Sequence, residues 1–340
     1  EEGMMHSNPD SMKEILVWAE QRDGKLMPVA LEILSKASEL AGPLRARVSA
    51  VVIGEECGTC AAELVAHGAE RVFAVQDARL HLYQADAFTA ILCRIIGETM
   101  PGLVLLGATS VGADLAPAVA ARLATGLTAH CTDVHVEEID GRAQPVMTVP
   151  GWRGNMMVKI VCPERRPVMA TIRPGVMDRG VPDASRRGEI VAFEPALGDG
   201  DFRARALEWV PEAGEGELEQ ARVVVSGGFG FYEAGGTALL EELALAAGGV
   251  TAGSRPACDA GWVPESRLIG QSGKTVSPDL FISVGASGAP HYTTGFAKSK
   301  IVVAVDRNPK APVFDIADFG IAGDLREVLP ALVEELKRDM

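Results

Sequence analysis

The first 126 residues alternate short apolar runs with longer stretches in which apolar residues recur every three or four positions. The short runs predict β-strands, and the longer stretches predict helices, with Ser110 as an N-cap and Gly42 and Gly126 as stops. A strand–helix alternation of this kind predicts a parallel sheet with helices on both faces. The predicted strands are 13–20, 46–54, 71–75 and 102–109, and the predicted helices are 28–42, 60–69, 83–98 and 110–126.

The pattern changes after this alternating part. Residues 131–173 contain four short strand-like segments, which we interpret as a meander or an antiparallel edge added to the sheet. Residues 175–220 are rich in glycine, proline and charge, and we expect an interdomain linker at about 196–220. The apolar runs then resume, so a second globular domain is expected.

In this second part every predicted strand ends in a loop of glycine or other small residues. Such strand ends lie at 221–231 and 279–295, and an amphipathic helix at 323–339 closes the chain. Ligands of open α/β sheets bind at the carboxyl ends of the strands, so these loops are candidate ligand contacts. The predicted organisation is an extension without periodicity at 1–11, an α/β domain at 12–205 and a second α/β domain at 206–340.

Composition narrows the function classes. With 47% hydrophobic and 23% charged residues among 340, the chain is typical of a globular protein with sizeable cores. Its net charge of −14 argues against binding to nucleic acid or to an anionic membrane surface. The chain has neither a long apolar run nor a signal-peptide pattern, so we expect a cytoplasmic protein without membrane insertion.

The six cysteines and six histidines suggest little chemistry of their own. Cys57 and Cys60 have the CxxC spacing of a thioredoxin-type redox pair, so a thiol oxidoreductase is one hypothesis. Nothing else in the chain resembles a thioredoxin, and we favour ordinary reduced thiols. The histidines form no cluster with metal-ligand spacing, so no metal site is expected.

The stretch GQSGKT at 270–275 resembles the end of a phosphate-binding P-loop. A P-loop needs glycine where this chain has Leu268, and it needs a helix after its lysine. Here a proline turn and a strand follow, so ATP hydrolysis is not predicted.

Two other glycine-rich loops, SGGFG at 226–230 and GASGAPH at 285–291, follow strands and precede helices. Glycine lets main-chain N–H groups approach an anion without a Cβ in the way. One such loop is most often a simple turn. Two in one domain favour a long dinucleotide with its pyrophosphate.

The run from GSRPACDAGWVPESRLIGQSGK to IAGDL, residues 253–325, resembles the FAD domain of electron transfer flavoprotein α subunits. The segments at 107–134 and 153–177 are similar to α subunits found with electron-bifurcating complexes, so the resemblance covers about residues 12–335. It implies a Rossmann-like, deoxyhypusine-synthase-like domain that binds FAD. It also implies a heterodimer with a β subunit and one-electron exchange between a dehydrogenase, often of the acyl-CoA type, and a second flavin, NADH or a quinone-side partner.

The resemblance places particular residues at the flavin ring. Ser254 and Arg255 match a pair whose arginine lies near the isoalloxazine, where a fixed cation would stabilise negative charge. Gln271 and Ser272 match a step whose hydroxyl approaches flavin N5, where it can either donate or accept. Arg255 and Ser272 are therefore the residues expected to set the potential of the flavin.

Other matched positions are expected at the phosphates and the adenosine. Ser287, Gly288 and Ala289 match the phosphate and ring loop, and Asp324 and Leu325 match the adenosine end. The complete predicted FAD site consists of Ser254, Arg255, Ile269, Gly270, Gln271, Ser272, Ser287, Gly288, Ala289, Pro290, His291, Tyr292, Asp306, Asp324 and Leu325.

Three positions depart from the family pattern. Phe229 replaces an arginine, Asp306 replaces an asparagine, and Tyr292 stands where a histidine is expected near flavin C2=O, with His291 one step earlier. Tyrosine cannot supply a positive charge near pH 7. These departures leave a second hypothesis open, namely a nucleotide-binding scaffold subunit without redox-competent FAD.

Overall fold

A computed structural model describes residues 12–151, 156–210, 217–233 and 236–338 of the chain. The chain divides into two compact units, unit 1 ending at Trp209 and unit 2 beginning at Val210. Within these described ranges, no helix is long and apolar enough to cross a lipid bilayer.

Unit 1 is built around a seven-stranded sheet in which every neighbouring pair of strands is parallel. The described strands of unit 1, inside and outside this sheet, are β1 (Glu14–Trp18), β2 (Gln21–Arg22), β3 (Lys25–Leu26), β4 (Arg47–Gly54), β5 (Arg71–Gln76), β6 (Leu103–Gly107), β7 (Leu127–Cys131), β8 (Asp133–Ile139), β9 (Arg142–Gly151), β10 (Met156–Ile160), β11 (Val168–Ile172) and β12 (Glu189–Ala192). The parallel sheet has the order β12-β5-β4-β1-β6-β11-β7. All residues of β1 and β6 are buried, as expected for strands covered on both faces.

Four helices cover the two faces of this sheet. They are α1 (Pro28–Leu44), α2 (Gly58–Ala66), α3 (Ala85–Thr99) and α4 (Ser110–Arg122). Apolar residues of α1 and α2 join one core, whereas those of α3 and α4 join the core on the opposite face. The predicted parallel α/β domain is confirmed.

The predicted helix bounds differ from the observed ones by up to four residues, and α4 ends at Arg122 rather than at Gly126. Helix α1 continues past Gly42 to Leu44, and its C-cap residue Arg45 adopts the left-handed conformation with φ 52°. Helix α4 is capped by Thr109, whose Oγ1 accepts from Gly112 N at 3.0 Å, and Ser110 is the first helical residue. Thr109 and Ser110 are both good N-cap residues, so the sequence alone does not distinguish them.

The strands between 131 and 173 belong to two different sheets. β8, β9 and β10 form a separate three-stranded antiparallel sheet, as the added antiparallel strands of the prediction require. The last segment, β11, instead enters the parallel sheet between β6 and β7. It is buried along its whole length. A short, fully buried strand has no alternation of apolar and polar residues, so the sequence pattern could not predict which sheet it joins.

The predicted linker is too wide. Phe202 is buried in the core of unit 1, and Leu218 is buried in a core of unit 2. Residues 211–216, in the middle of the predicted linker, lie outside the described residues. β12, which precedes this segment, is a mostly exposed edge strand that the sequence pattern did not reveal.

Unit 2 contains one five-stranded sheet, in which all neighbouring strands are parallel. Its elements are α5 (Glu217–Gln220), β13 (Val223–Gly227), α6 (Phe229–Glu233), α7 (Thr237–Ala246), β14 (Val250–Gly253), α8 (Arg255–Asp259), β15 (Leu280–Val284), α9 (Pro290–Thr293), β16 (Ile301–Asp306), β17 (Phe319–Ala322) and α10 (Leu325–Arg338). The strand order is β14-β13-β15-β16-β17.

The two faces of this sheet have different cores. On one face α7 and α10 pack their leucines, with Leu329 and Leu243 fully buried. On the other face Phe281 stacks on Phe296 with ring centroids 3.9 Å apart, and Tyr292 packs edge-on against Phe296. These aromatic rings share their core with Ala286, which lies in the loop after β15.

Candidate functional site

The strand order of unit 2 contains a topological switch point between β13 and β15. The chain leaves β13 for β14 on one side, whereas β15 and the later strands lie on the other side. The loops that follow β13 and β15 therefore diverge, and a crevice opens between them at the carboxyl edge of the sheet. Both predicted glycine-rich loops lie at this crevice.

Close approach of the two loops requires their glycines. A Cβ on Gly228 would lie 2.3 Å from the carbonyl oxygen of Gly285, and Gly230 N donates to that same oxygen at 3.2 Å. Gly285 and Gly288 both adopt positive φ, at 61° and 85°. No other residue type fits this packing without moving backbone atoms.

The loops enclose a cavity of about 1030 Å³ at the edge of the sheet. All predicted site residues except Gln271 and Pro290 line it. Gln271 is adjacent, since its backbone N donates to His291 O at 2.7 Å and its Oε1 lies 2.6 Å from His291 Nδ1. The lining residues that were not among the predicted site are Phe229, Gly230, Pro256, Gly285, Ala286, Arg307 and Arg326.

The two unpredicted arginines have a recognisable signal. Arg307 directly follows Asp306 at the end of β16, and Arg326 lies two residues after Asp324 in the first turn of α10, so each is within two residues of a predicted acid. Asp324 Oδ1 accepts from Arg326 N at 2.9 Å, and Asp306 Oδ1 accepts from Asn308 N at 2.8 Å. A search of the two residues after each predicted acid, charged residues of both signs included, finds both arginines.

Arg255 and Ser272 meet at the other part of the cavity wall. Arg255 Nη2 donates to Ser272 Oγ at 3.0 Å, and Nη1 lies 3.1 Å from Glu265 Oε1 and 3.7 Å from Asp259 Oδ1. Mainly because of the hydrogen bond with Glu265, the pKa of Arg255 is raised above its usual value. The cavity therefore has a fixed cation and a hydroxyl side by side.

Comparison with known proteins identifies the family. Residues 15–197 match the model of the electron transfer flavoprotein domain, and residues 217–297 match that of the electron transfer flavoprotein FAD-binding domain. An electron transfer flavoprotein subunit alpha of Thermoanaerobacterium thermosaccharolyticum is 42% identical over 327 residues, which cover 96% of this chain and 98% of the relative. The chain belongs to the electron transfer flavoprotein α subunit family.

Two further relatives extend this comparison. The electron transfer flavoprotein subunit alpha of Megasphaera elsdenii is 40% identical over 329 residues, 96% of this chain and 97% of the relative. A protein named acryloyl-CoA reductase electron transfer subunit beta, of Anaerotignum propionicum, is 35% identical over an alignment of 354 positions, gaps included, that covers 96% of each chain. Unit 2 of this electron transfer flavoprotein is an FAD-binding domain, and the protein has a role in electron transfer.

The cavity suits FAD in size and chemistry. Its volume is at the upper end of the range of about 300–1,000 Å³ that is usual for ligand pockets, as a long dinucleotide requires. Arg307 and Arg326 can compensate a pyrophosphate, and Asp306 and Asp324 can accept from ribose hydroxyls. Apolar lining by Phe229, Ile269 and Ala286 suits flat aromatic rings.

Tyr292 lines the cavity in part, but its hydroxyl points into the core. The tyrosine is only 6% exposed, and its hydroxyl lies 3.3 Å from Ser283 Oγ within the core. Burial raises its pKa to about 12. Successive residues of a helix point about 100° apart, so α9 directs Tyr292 inward and leaves His291 exposed at the cavity.

Phe229, in the position of the missing arginine, lies at the edge of the cavity. Its ring is 47% exposed and stands 5.2 Å, centroid to centroid, from the ring of Trp262. An exposed aromatic pair at a cavity edge provides a flat apolar surface and no charge.

The GQSGKT stretch is not a P-loop in the structure. Gly270 N donates to Lys274 O, and the Lys274 ammonium pairs with Glu219 at 2.9 Å. The next regular element after this turn is β15. Lysine and glycine here stabilise the turn that positions Ser272.

The thiols of the CxxC pair lack the features of redox-active cysteines. Cys57 and Cys60 are buried, and Cys57 Sγ lies 3.3 Å from Val75 O. Burial raises the pKa of Cys57 to about 11 and that of Cys60 above its usual value. An attacking thiol needs a lowered pKa, so the thiol oxidoreductase hypothesis has no support.

Proposed function

We propose that the protein is the α subunit of a heterodimeric electron transfer flavoprotein, with FAD in the cavity of unit 2. The flavin ring would lie against Arg255 and Ser272, and the adenosine would lie towards Asp306 and Asp324. The observation that carries this proposal is the 3.0 Å contact between Arg255 and Ser272 at the wall of the switch-point cavity. When bound, FAD supplies the one- and two-electron redox chemistry.

The protein residues have distinct tasks in this proposal. Arg255 holds positive charge at the ring, which favours the more negative, reduced flavin over the oxidised one. The Ser272 hydroxyl, oriented by the guanidinium, can donate to or accept from a ring nitrogen as the protonation of that nitrogen changes. The glycine loops bring backbone amides to the pyrophosphate.

The partners are inferred from the family. We place an electron transfer flavoprotein β subunit beside this chain and an acyl-CoA or related dehydrogenase at one end of the electron path. The name of the Anaerotignum propionicum relative, an electron transfer subunit of acryloyl-CoA reductase, supports that choice. The resemblance to subunits of bifurcating complexes supports a second flavin in the β subunit that meets NADH. The six free thiols agree with a reducing cytoplasm.

A redox titration of the FAD-loaded complex of the α and β subunits tests this proposal. Arg255→Ala is expected to weaken the preference for reduced over oxidised flavin by about fivefold, and so to lower the midpoint potential. Arg338→Ala is the control, because Arg338 is an exposed arginine of the same unit that pairs with Glu334 and Glu335. An unchanged potential in Arg255→Ala would contradict the assigned ring position.

The scaffold hypothesis makes a different prediction. It is favoured by Phe229, which presents an apolar ring instead of a cation at the edge of the cavity. A scaffold subunit would leave the complex colourless, or with a single β-subunit flavin, after saturation with FAD. One FAD bound to the α chain itself, in addition to any β-subunit flavin and reducible by dithionite, rejects it.

A further inference from the structure

We propose that Glu265 is a positioning residue that lowers the potential of the flavin by holding and partly neutralising Arg255. This inference rests on the proposed function, because it places the flavin ring at Arg255. Glu265 does not line the cavity and would act only through the guanidinium.

Arg255 is held from two sides. On the cavity side, Nη2 donates to Ser272 Oγ at 3.0 Å and approaches Ser272 O at 3.4 Å. On the outer side, Nη1 donates to Glu265 Oε1 at 3.1 Å, and Asp259 Oδ1 is 3.7 Å away. Because the guanidinium is a rigid planar fork, fixing Nη1 also fixes the direction in which Nη2 points.

The turn that carries Glu265 is itself fixed to the sheet. Glu265 begins a 3₁₀ turn that ends at Arg267, and Leu268 N donates to Glu265 O at 3.1 Å. Directly after the turn, Ile269 N donates to Gly253 O at 2.9 Å, which ties the segment to the end of β14. Glu265 therefore has a defined place relative to Arg255, which follows β14 two residues after Gly253.

The charge effect of Glu265 follows from its exposure. The carboxylate side chain is 79% exposed, so water and salt screen it strongly. It still cancels part of the field of Arg255 at the cavity, and this makes the reduced flavin less favourable than it would be beside an unpaired guanidinium. Glu265 would thus counteract Arg255 in charge while supporting it in position.

Two substitutions separate these effects. Glu265→Gln keeps an oxygen that accepts from Arg255 but removes the charge. It is expected to strengthen the preference for reduced over oxidised FAD about threefold at low salt, since one exposed unit charge acts through a water-like dielectric. For a two-electron couple this corresponds to a rise of about 14 mV. Glu265→Ala also frees Arg255, so it should in addition weaken FAD binding.

The control variant is Glu334→Gln. It removes the same charge from the same unit, but Glu334 pairs with Arg338 in the last turns of α10, about 12 Å along the helix from the cavity-lining Arg326. All variants are measured as full-length chains in complex with the β subunit and loaded with FAD. Potentials are titrated by visible absorption at about 20 mM and about 500 mM salt, where the screening length differs several-fold.

The outcomes are distinct. A rise in potential for Glu265→Gln that shrinks in high salt, with no change for Glu334→Gln, supports the proposal. A shift in Arg255→Ala but none in Glu265→Gln overturns this inference and leaves the proposed function intact. A shift in Glu265→Gln that salt does not alter also overturns it, since a structural effect is not screened. If neither Arg255→Ala nor Glu265→Gln shifts the potential, the proposed place of the flavin ring itself is wrong.

Discussion

Gly288→Ala tests whether the cavity depends on the close packing of its loops. Gly288 has φ 85°, and a Cβ there would lie 2.3 Å from Val313 N and 2.5 Å from Val313 Cα. Both contacts are with backbone, so no side chain can rotate aside to relieve them. The loop after β15 would have to move away from the segment that holds Val313.

The chain offers a matched control for the backbone strain. Gly248 has φ 64° in the same unit, but a Cβ there meets nothing within 4 Å. Alanine at positive φ costs about 1–2 kcal/mol, which is all that Gly248→Ala should lose. Gly288→Ala should lose that amount and, in addition, about 1 kcal/mol for the 3.0 Å hydrogen bond from Val313 N to Ser287 O. Crowding adds about 1 kcal/mol or more, for a total near 3–4 kcal/mol.

Hydrogen exchange measured by mass spectrometry reports this loss within unit 2. Peptides that cover β15 in the FAD-free full chain should exchange faster in Gly288→Ala than in Gly248→Ala. The ratio of exchange rates should correspond to a difference of about 2 kcal/mol in the free energy of unfolding. FAD fluorescence should show weaker binding for Gly288→Ala alone, because only Gly288 lines the cavity. Equal exchange in the two variants would refute the crowding argument, and unchanged FAD affinity would refute the role of this loop in the site.

Other predictions concern buried groups. Tyr292→Phe should cost about 1 kcal/mol of stability through the lost contact with Ser283. It should leave the flavin potential unchanged, because the hydroxyl faces the core. A changed potential in the redox titration would mean that the Tyr292 hydroxyl contacts the flavin ring. The pKa of Cys57 is raised to about 11 in the folded state, so the unfolded chain releases this thiol proton first and stability should fall as pH rises from about 9 to 11. Denaturation of Cys57→Ser should show a weaker loss over that range, and electron transfer by this variant should be unaffected; a wild-type slope would contradict the buried-thiol assignment.

Much of the site was predictable because its elements are local. Glycines after strands mark close backbone approach, so the loops at Gly228 and Gly288 were found without knowledge of the sheet order. That Arg307 and Arg326 reach the same cavity depends instead on β16 lying beside β15 and on β17 lying beside β16. Strand adjacency of this kind is a long-range property that no local sequence pattern contains.

The placement of Tyr292 shows a second limit. A match to a family motif assigns a residue to a position in the chain, but the direction of its side chain depends on the residues that pack around it. Here Phe281 and Phe296 form an aromatic core that Tyr292 completes, with ring centroids 6.4 and 4.9 Å away. Burial of a large ring among aromatic neighbours contributes more than a hydrogen bond at a partly exposed edge, so the core determines its orientation.

Unit 1 shows why a parallel sheet alone does not make a cofactor site. Its strand order also has a switch point, between β1 and β6. The chain leaves β1 for β4 on one side, whereas β6 lies on the other side of β1. Just beyond those strands, Thr109 Oγ1 donates to Glu20 Oε2 at 2.5 Å, and burial raises the pKa of Glu20. In unit 2 the first residues after the two strands at the switch point, β13 and β15, are Gly228 and Gly285, which have no side chains. The same topology thus has its carboxyl edge bridged by two side chains in one unit and begins with glycines in the other, and glycines of this kind can bring backbone amides to an anion.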